Sequence, residues 1–319
     1  MDIGIAVAGF LVGVVVGLTG MGGGALMTPM LMLFFGVQPL AAVSSDLVAS
    51  AVMKPVGSLV HLRRGTVQLS LVKWLVIGSV PCAFSGVLVA RALGSTGSED
   101  QVQHVIRIAM GIALLFAAGA MIFRAYMSLL ERARHRREAA GRPDAEPEPE
   151  SGSSAAPEVK VRRVPTLLIG AVGGLVVGMT SVGSGSLIIV ALLMLYPALK
   201  AGQLVGTDLV QAVPLVLAAA VGHLLFGDFR LDVTTALLVG SVPGVYLGSL
   251  ISSRAPSGLI RRALAVVLVA SGLKLLGLGN VALGWTLLAV VLAAPALWML
   301  LRTRHGFAPL ASLEGRRSR

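Results

Sequence analysis

Charge is what this chain most lacks. Only 13% of its residues are Asp, Glu, Lys or Arg, about half the share of an ordinary soluble domain. With 55% of residues apolar and a mean hydropathy of +0.87, a water-soluble globule is excluded. Cysteine occurs once, as Cys82 inside an apolar run, which rules out an internal disulfide and a cysteine-built metal site. The five histidines show no metal-ligand spacing, so no metal is expected. Gly20-Met-Gly-Gly-Gly24 lacks the Gly-Lys-Ser/Thr ending of a phosphate loop and follows no strand. No Ser/His/Asp or paired-acid arrangement points to hydrolysis. The sequence therefore predicts neither an enzyme nor a cofactor, and an ATP-driven pump would need a separate ATPase subunit. The net charge of +11 has no compact basic domain to carry it. Lys and Arg sit mainly at the ends of apolar segments, where they set orientation and meet anionic lipid rather than nucleic acid.

What the chain does have is a succession of apolar runs, many near bilayer-spanning length. They predict an all-α polytopic membrane protein. The start, Met1-Asp-Ile-Gly-Ile5, lacks the basic region of a cleavable signal peptide, so the first segment is expected to remain. Short arms at 3–18 and 25–36 flank a glycine-rich break, Gly17 to Leu26. Spans follow at 40–61, 71–93 and 104–126, with Trp74 placed for an interfacial belt. After a charged stretch, arms at 166–179 and 186–197 flank a second break, Gly178 to Leu187. Spans at 203–225, 233–253, 259–278 and 281–301 complete the chain.

Five units result: a first membrane repeat (1–127), a charged linker (128–163), a second membrane repeat (164–279), an extra C-terminal span (280–302) and a basic tail (303–319). Within the linker the Pro/Glu/Ser/Ala composition of 139–158 cannot bury enough apolar surface to fold, although a docking role for it stays open.

The duplication shows in spacing. Gly78-Ser-Val-Pro81 returns 162 positions later as Gly240-Ser-Val-Pro243. The same offset carries Asp46 to Asp208, His61 to His223, Gly65 to Gly227 and Gly86 to Gly248, while the breaks align at 161. Pro81 and Pro243 are expected to kink equivalent helices. If each hairpin returns to its starting side, three spans per repeat place the copies upside down relative to each other. With the N-terminus outside, Arg63/Arg64, the linker, Lys200, Arg254, Arg261/Arg262 and the C-terminus all lie on the cytoplasmic side, as the positive-inside rule requires.

An interrupted helix in hydrocarbon is tolerated only where protein or a wet cavity meets its freed backbone groups. Two such breaks at matching places mark a transporter's substrate site. Their tips can meet near the midplane, where helix N-termini favour an anion. Candidate substrate-binding residues are Thr19, Gly20, Gly22, Gly23 and Gly24 in the first break, and Thr180, Ser181, Gly183, Ser184 and Gly185 in the second. Ser44, Ser45, Thr207 and Gln211 join them from the following helices. The glycines serve equally well for close helix packing. Asp46 and Asp208 read either as N-caps or as proton-coupling carboxylates. Lys54 lies inside an apolar span, where it snorkels, pairs with Asp46 or attracts an anion; its counterpart is Val216. His61 and His223 read as interfacial anchors.

Gly17-x-Thr-Gly-x-Gly-Gly-Gly24, Ser44-Ser45-Asp46, Gly178-x-Thr-Ser-x-Gly-Ser-Gly185 and Gly206-Thr207-Asp208 together resemble the TauE/SafE sulfite-exporter family. The likeness covers roughly residues 5–125 and 165–278. It implies a secondary transporter in the bacterial inner (cell) membrane for small sulfur-containing anions such as sulfite or organosulfonates. The long acidic linker and the last span depart from the expected pattern. The expectation is an inverted-repeat carrier, each repeat a glycine-broken hairpin plus three spans, working by alternating access. Its partners are a small anion, the bilayer and, through Asp46 or Asp208, a proton; homo-oligomerisation stays open. The alternative is a non-transporting accessory subunit organising a sulfur-metabolism complex.

Overall fold

The protein's structure, a computed structural model, describes residues 2–19, 23–63, 67–96, 99–140, 161–197, 201–226, 229–251 and 257–304, with Gly65 and Leu199. Among the described residues it is all helical. The first half contributes α1 (Ile3–Thr19), α2 (Gly24–Phe34), α3 (Pro39–Arg63), α4 (Leu69–Thr96) and α5 (Glu99–Ala140). The second contributes α6 (Arg163–Thr180), α7 (Leu187–Leu195), α8 (Ala201–Phe226), α9 (Leu231–Ile251), α10 (Ser257–Leu275) and α11 (Asn280–Arg304). Six stretches, within α4, α5, α6, α8, α9 and α11, are long and apolar enough to cross a membrane. The arms α2 and α7 have 11 and 9 residues, about 16 and 14 Å as helix. Each is about half of a ~30 Å hydrocarbon layer.

Two expectations need correction. Ser44-Ser45-Asp46 and Gly206-Thr207-Asp208 do not cap their helices, because α3 starts at Pro39 and α8 at Ala201; both triplets lie a turn or more inside. The linker boundary at 128 also moves. Helix α5 continues through the basic Arg132–Arg137 cluster to Ala140, because Arg, Glu and Ala are good helix formers. Residues 141–160, with most of the expected linker, lie outside the described residues.

Hydrocarbon gives helices no hydrophobic reason to associate, so close backbone contact between small residues carries the packing. Each half lends its first helix to the other. Helix α1 lies along α9, and α6 along α4. A Cβ on Gly240 would come within 1.8 Å of the Ala6 carbonyl oxygen, and one on Gly78 within 2.2 Å of that of Leu167. Gly13 faces Ser241 as Gly174 faces Ser79, and Gly248 faces Val14 as Gly86 faces Leu175. These contacts advance together along both chains, so each pair runs in the same direction. They also correspond residue for residue under the sequence offsets. Helices α3 and α8 cross between them in opposite directions: Ser44, early in α3, meets His223 in the last turn of α8, while Gln68, just beyond α3, meets Thr207 early in α8.

A side chain at position 240 should part α1 from α9. Gly240→Leu is expected to destabilise the protein by about 1–3 kcal/mol as an overpacked contact. A Cβ on Gly119 in α5 would meet nothing within 4 Å, so Gly119→Ala should stabilise by up to about 1 kcal/mol. Thermal unfolding of both variants in detergent checks the contrast.

Candidate functional site

The two breaks meet. Helix α6 ends at Thr180, and Ser181 takes a left-handed conformation, φ 58°, which non-glycine residues adopt only when the surroundings enforce it. Gly24, the first residue of α2, lies so close that a Cβ would come within 1.9 Å of the Ser181 carbonyl oxygen. Only glycine permits that approach.

Asp46 ties this junction together. Its Oδ2 accepts hydrogen bonds from Thr28 Oγ1 on α2 and from Ser181 Oγ, both at 2.7 Å. Its Oδ1 accepts a longer one from Ser50 Oγ at 3.4 Å, and Gly23 sits alongside. Asp46 is fully buried, so these donors supply what water would otherwise give. Two turns on, the Lys54 ammonium bonds Ser184 Oγ. Lys54 is 7% exposed and lies within electrostatic reach of both Asp46 and Asp208. Snorkelling is thereby excluded.

Asp208 lies on the far side of the lysine. It accepts from Gln211 Nε2 at 3.0 Å, the Gly185 backbone lies nearby, and Ser79 Oγ donates to Gln211 Oε1 at 3.4 Å. Arg124 of α5 also acts on it electrostatically. The cluster thus holds two buried carboxylates, one ammonium, several hydroxyls and an amide. Such a set can exchange protons and offer donors to a small anion. Among the described residues no group of three or more His, Cys, Asp or Glu could hold a metal ion.

The sequence candidates divide accordingly. Gly23, Gly24, Asp46, Lys54, Ser181, Ser184, Gly185, Asp208 and Gln211 come together, and Gly183 shapes the second turn with φ 129°. Thr180 spends its hydroxyl on the Val176 carbonyl. Thr207 Oγ1 accepts the Gln68 N–H at the start of α4, 3.0 Å. Ser45 is buried and without a partner. The Thr19 side chain, Gly20 and Gly22 lie outside the described residues.

Thr28, Ser50 and Ser79 join the cluster without having been candidates, since isolated hydroxyls in apolar helices usually bond their own backbone.

His223 is a further correction: it is wholly buried rather than interfacial. Its Nε2 lies 2.8 Å from the Gly178 carbonyl and its Nδ1 2.9 Å from Ser44 Oγ. A carbonyl only accepts, so Nε2 carries a proton. The α6 break turns the Val182 N–H to Thr180 Oγ1, and His223 meets the Gly178 carbonyl instead. The pairing of position 61 with 223, and of 17 with 178, was the signal available in the sequence. The His61 side chain lies outside the described residues. His223→Ala should cost about 1–3 kcal/mol by leaving buried groups unpaired. His223→Gln, which can donate to one and accept from the other, should recover most of it in the same unfolding measurement.

Comparison with known proteins agrees with this architecture. The family described as Sulfite exporter TauE/SafE matches residues 5–275. The "Probable membrane transporter protein YjnA" of Bacillus subtilis is 36% identical over 86% of this chain and 100% of its own length. The "Probable membrane transporter protein YdhB" of the same organism is 22% identical over 84% of this chain and 97% of its own. No solved structure matches. With apolar helices of spanning length and a family match running from the first helix to the end of α10, the chain belongs to the TauE/SafE family of membrane transporters.

Proposed function

We propose that the protein is a secondary transporter that moves a small sulfur-containing anion, sulfite or an organosulfonate, across the cell membrane. The observation that carries this reading is the meeting of the two helix breaks over a buried carboxylate and a buried lysine. In hydrocarbon, ionisable groups in such a place mark a transport pathway, and the family's name supplies the substrate class. The two halves act as inverted repeats, with the N-terminus outside and the linker and C-terminus in the cytoplasm. The antiparallel course of α3 and α8, equivalent helices under the 162-residue offset, supports the inversion. Rocking one repeat against the other then exposes the site to each side in turn.

The arrangement also suggests how a proton couples to the anion. Thr28 and Ser181 each have one hydroxyl proton, and both give it to Asp46. An ionised Asp46 and a bound anion therefore compete for the same donors and for Lys54. Protonating Asp46 frees the hydroxyls and leaves the ammonium less compensated, so proton and anion bind cooperatively. The other titratable or charged groups around the site are Asp208 and His223 from α8 and Arg124 from α5; none of them takes these two hydroxyls.

The full chain in liposomes, loaded with radiolabelled sulfite or sulfoacetate under an imposed pH gradient, tests the reading. Solute-specific flux is expected, with apparent anion affinity rising as pH falls. Lys54→Gln should lose a charge-assisted contact of about 1.5–3 kcal/mol, roughly ten- to hundredfold in affinity. Asp46→Asn should transport without pH dependence. If pH dependence survives in both Asp46→Asn and Asp208→Asn, coupling through these carboxylates is wrong. Silence toward every anion, with a stable co-purifying partner, would favour the accessory-subunit reading.

A further inference from the structure

The two halves match in sequence yet differ in how tightly one equivalent interface is drawn together. Helix α4 packs along α8 more extensively than α9 does along α3. At the first interface Thr207 accepts the Gln68 N–H at the mouth of α4. Phe84 stacks edge-on against Phe226, 6.0 Å between centroids. At the second, the residue equivalent to Thr207 is Ser45, and the equivalent of Gln68 is Arg230 at the mouth of α9. Ser45 lies one turn from Ala41 and from Ala49, which share one buried cluster with Val233, Ala236 and Leu237 of α9 and with Met27 and Leu31 of α2, so it lies on the face of α3 turned to that cluster. It is fully buried, but its hydroxyl has no partner and the counterpart bond to Arg230 is unmade. The equivalent of Phe84 is Tyr246, 59% exposed, on the wall of a cavity of about 340 Å3 with Val52, Met53 and Val242. Ser241, also unpartnered, needs no such explanation: its counterpart Ser79 bonds Gln211, and position 49 holds alanine.

We propose that Thr207 and Ser45 are the paired latches of the transport cycle. In the present conformation Thr207 is engaged with the start of α4 and Ser45 is disengaged from the start of α9. In the opposite conformation Ser45 accepts the Arg230 N–H, the α3–α9 cavity closes around Tyr246, and Thr207 releases Gln68. An orphaned buried hydroxyl is costly in hydrocarbon. A partner reached in another conformation satisfies that hydroxyl. Ser45 is then a positioning residue acting through α9, with no contact to the anion. This inference rests on the inverted-repeat carrier reading. In the orientation given above, the engaged latch lies on the cytoplasmic side and the open one outside, so the present conformation faces outward.

Thiol pairs read the exchange directly. In a Cys82→Ala background, Q68C/T207C captures the present conformation and S45C/R230C the opposite one, provided the paired Cβ atoms come within disulfide range. Oxidation in proteoliposomes should crosslink each pair, should arrest sulfite efflux in either case, and should never form both links in one four-cysteine molecule. Ser45→Ala in the Q68C/T207C background should raise the crosslinked-to-free ratio about fivefold, as expected from removing one hydrogen bond of the competing state. Thr207→Val should do the same for S45C/R230C. The latch is overturned if S45C/R230C never crosslinks while the unoxidised protein still carries sulfite, if both links form together, or if neither substitution moves the ratios. A protein that crosslinks alternately but carries neither sulfite nor sulfoacetate would keep the exchange and remove the carrier reading.

Discussion

A carboxylate enclosed among apolar helices dictates much of this architecture. Ionised, Asp46 needs donors that water cannot bring, and it recruits them from Ser50 one turn on along α3 and from two places distant in sequence, Thr28 on α2 and Ser181 at the broken end of α6. Meeting that need draws the start of α2 against the Ser181 backbone, an approach open to glycine alone at position 24. The convergence of the two breaks and the solvation of Asp46 are thus one constraint seen from two sides. Lys54 continues the same helical face, four residues beyond Ser50, and meets the second break through Ser184.

Much of this was legible before any coordinates. Landmarks matching at one offset fall at corresponding helix contacts, and the paired glycine breaks meet at Gly24 and Ser181. The expected spans at 40–61 and 203–225 start within two residues of α3 and α8; the cap reading failed because Ser44-Ser45-Asp46 has the chemistry of a cap, whereas Pro39, well suited to the first helical position, opens the helix. The length of α5 was misjudged because a basic cluster was read as the edge of a linker; its residues propagate a helix readily. Thr28 and Ser79 were beyond reach for a different reason. A hydroxyl in an apolar helix can bond backward to its own backbone or outward to a neighbour, and only packing decides between them.

The near-symmetry of the halves is informative where it fails. Lys54 corresponds to Val216 across the duplication, Gln211 to Ala49, and Ser50 to Ala212. The first half supplies the ammonium and most of the hydroxyls around Asp46, while the second offers the Gln211 amide to Asp208. Asp46 and Asp208, which correspond under the 162-residue offset, thus sit among different companions. Identical surroundings would have left both groups with the same proton affinity and no distinction of role.

The exchange of first helices between halves bears on how the protein is made. By the time α6 is synthesised its partner α4 already exists, so it can dock at once. Helix α1 has no such partner until α9 emerges, more than two hundred residues later. Through most of translation it must wait in lipid with Gly9 and Gly13, its seam for α9, unmatched. Synthesis therefore orders these two seams: the α4–α6 seam can close early, the α1–α9 seam only once α9 is made, and the packing of α10 on α5 follows.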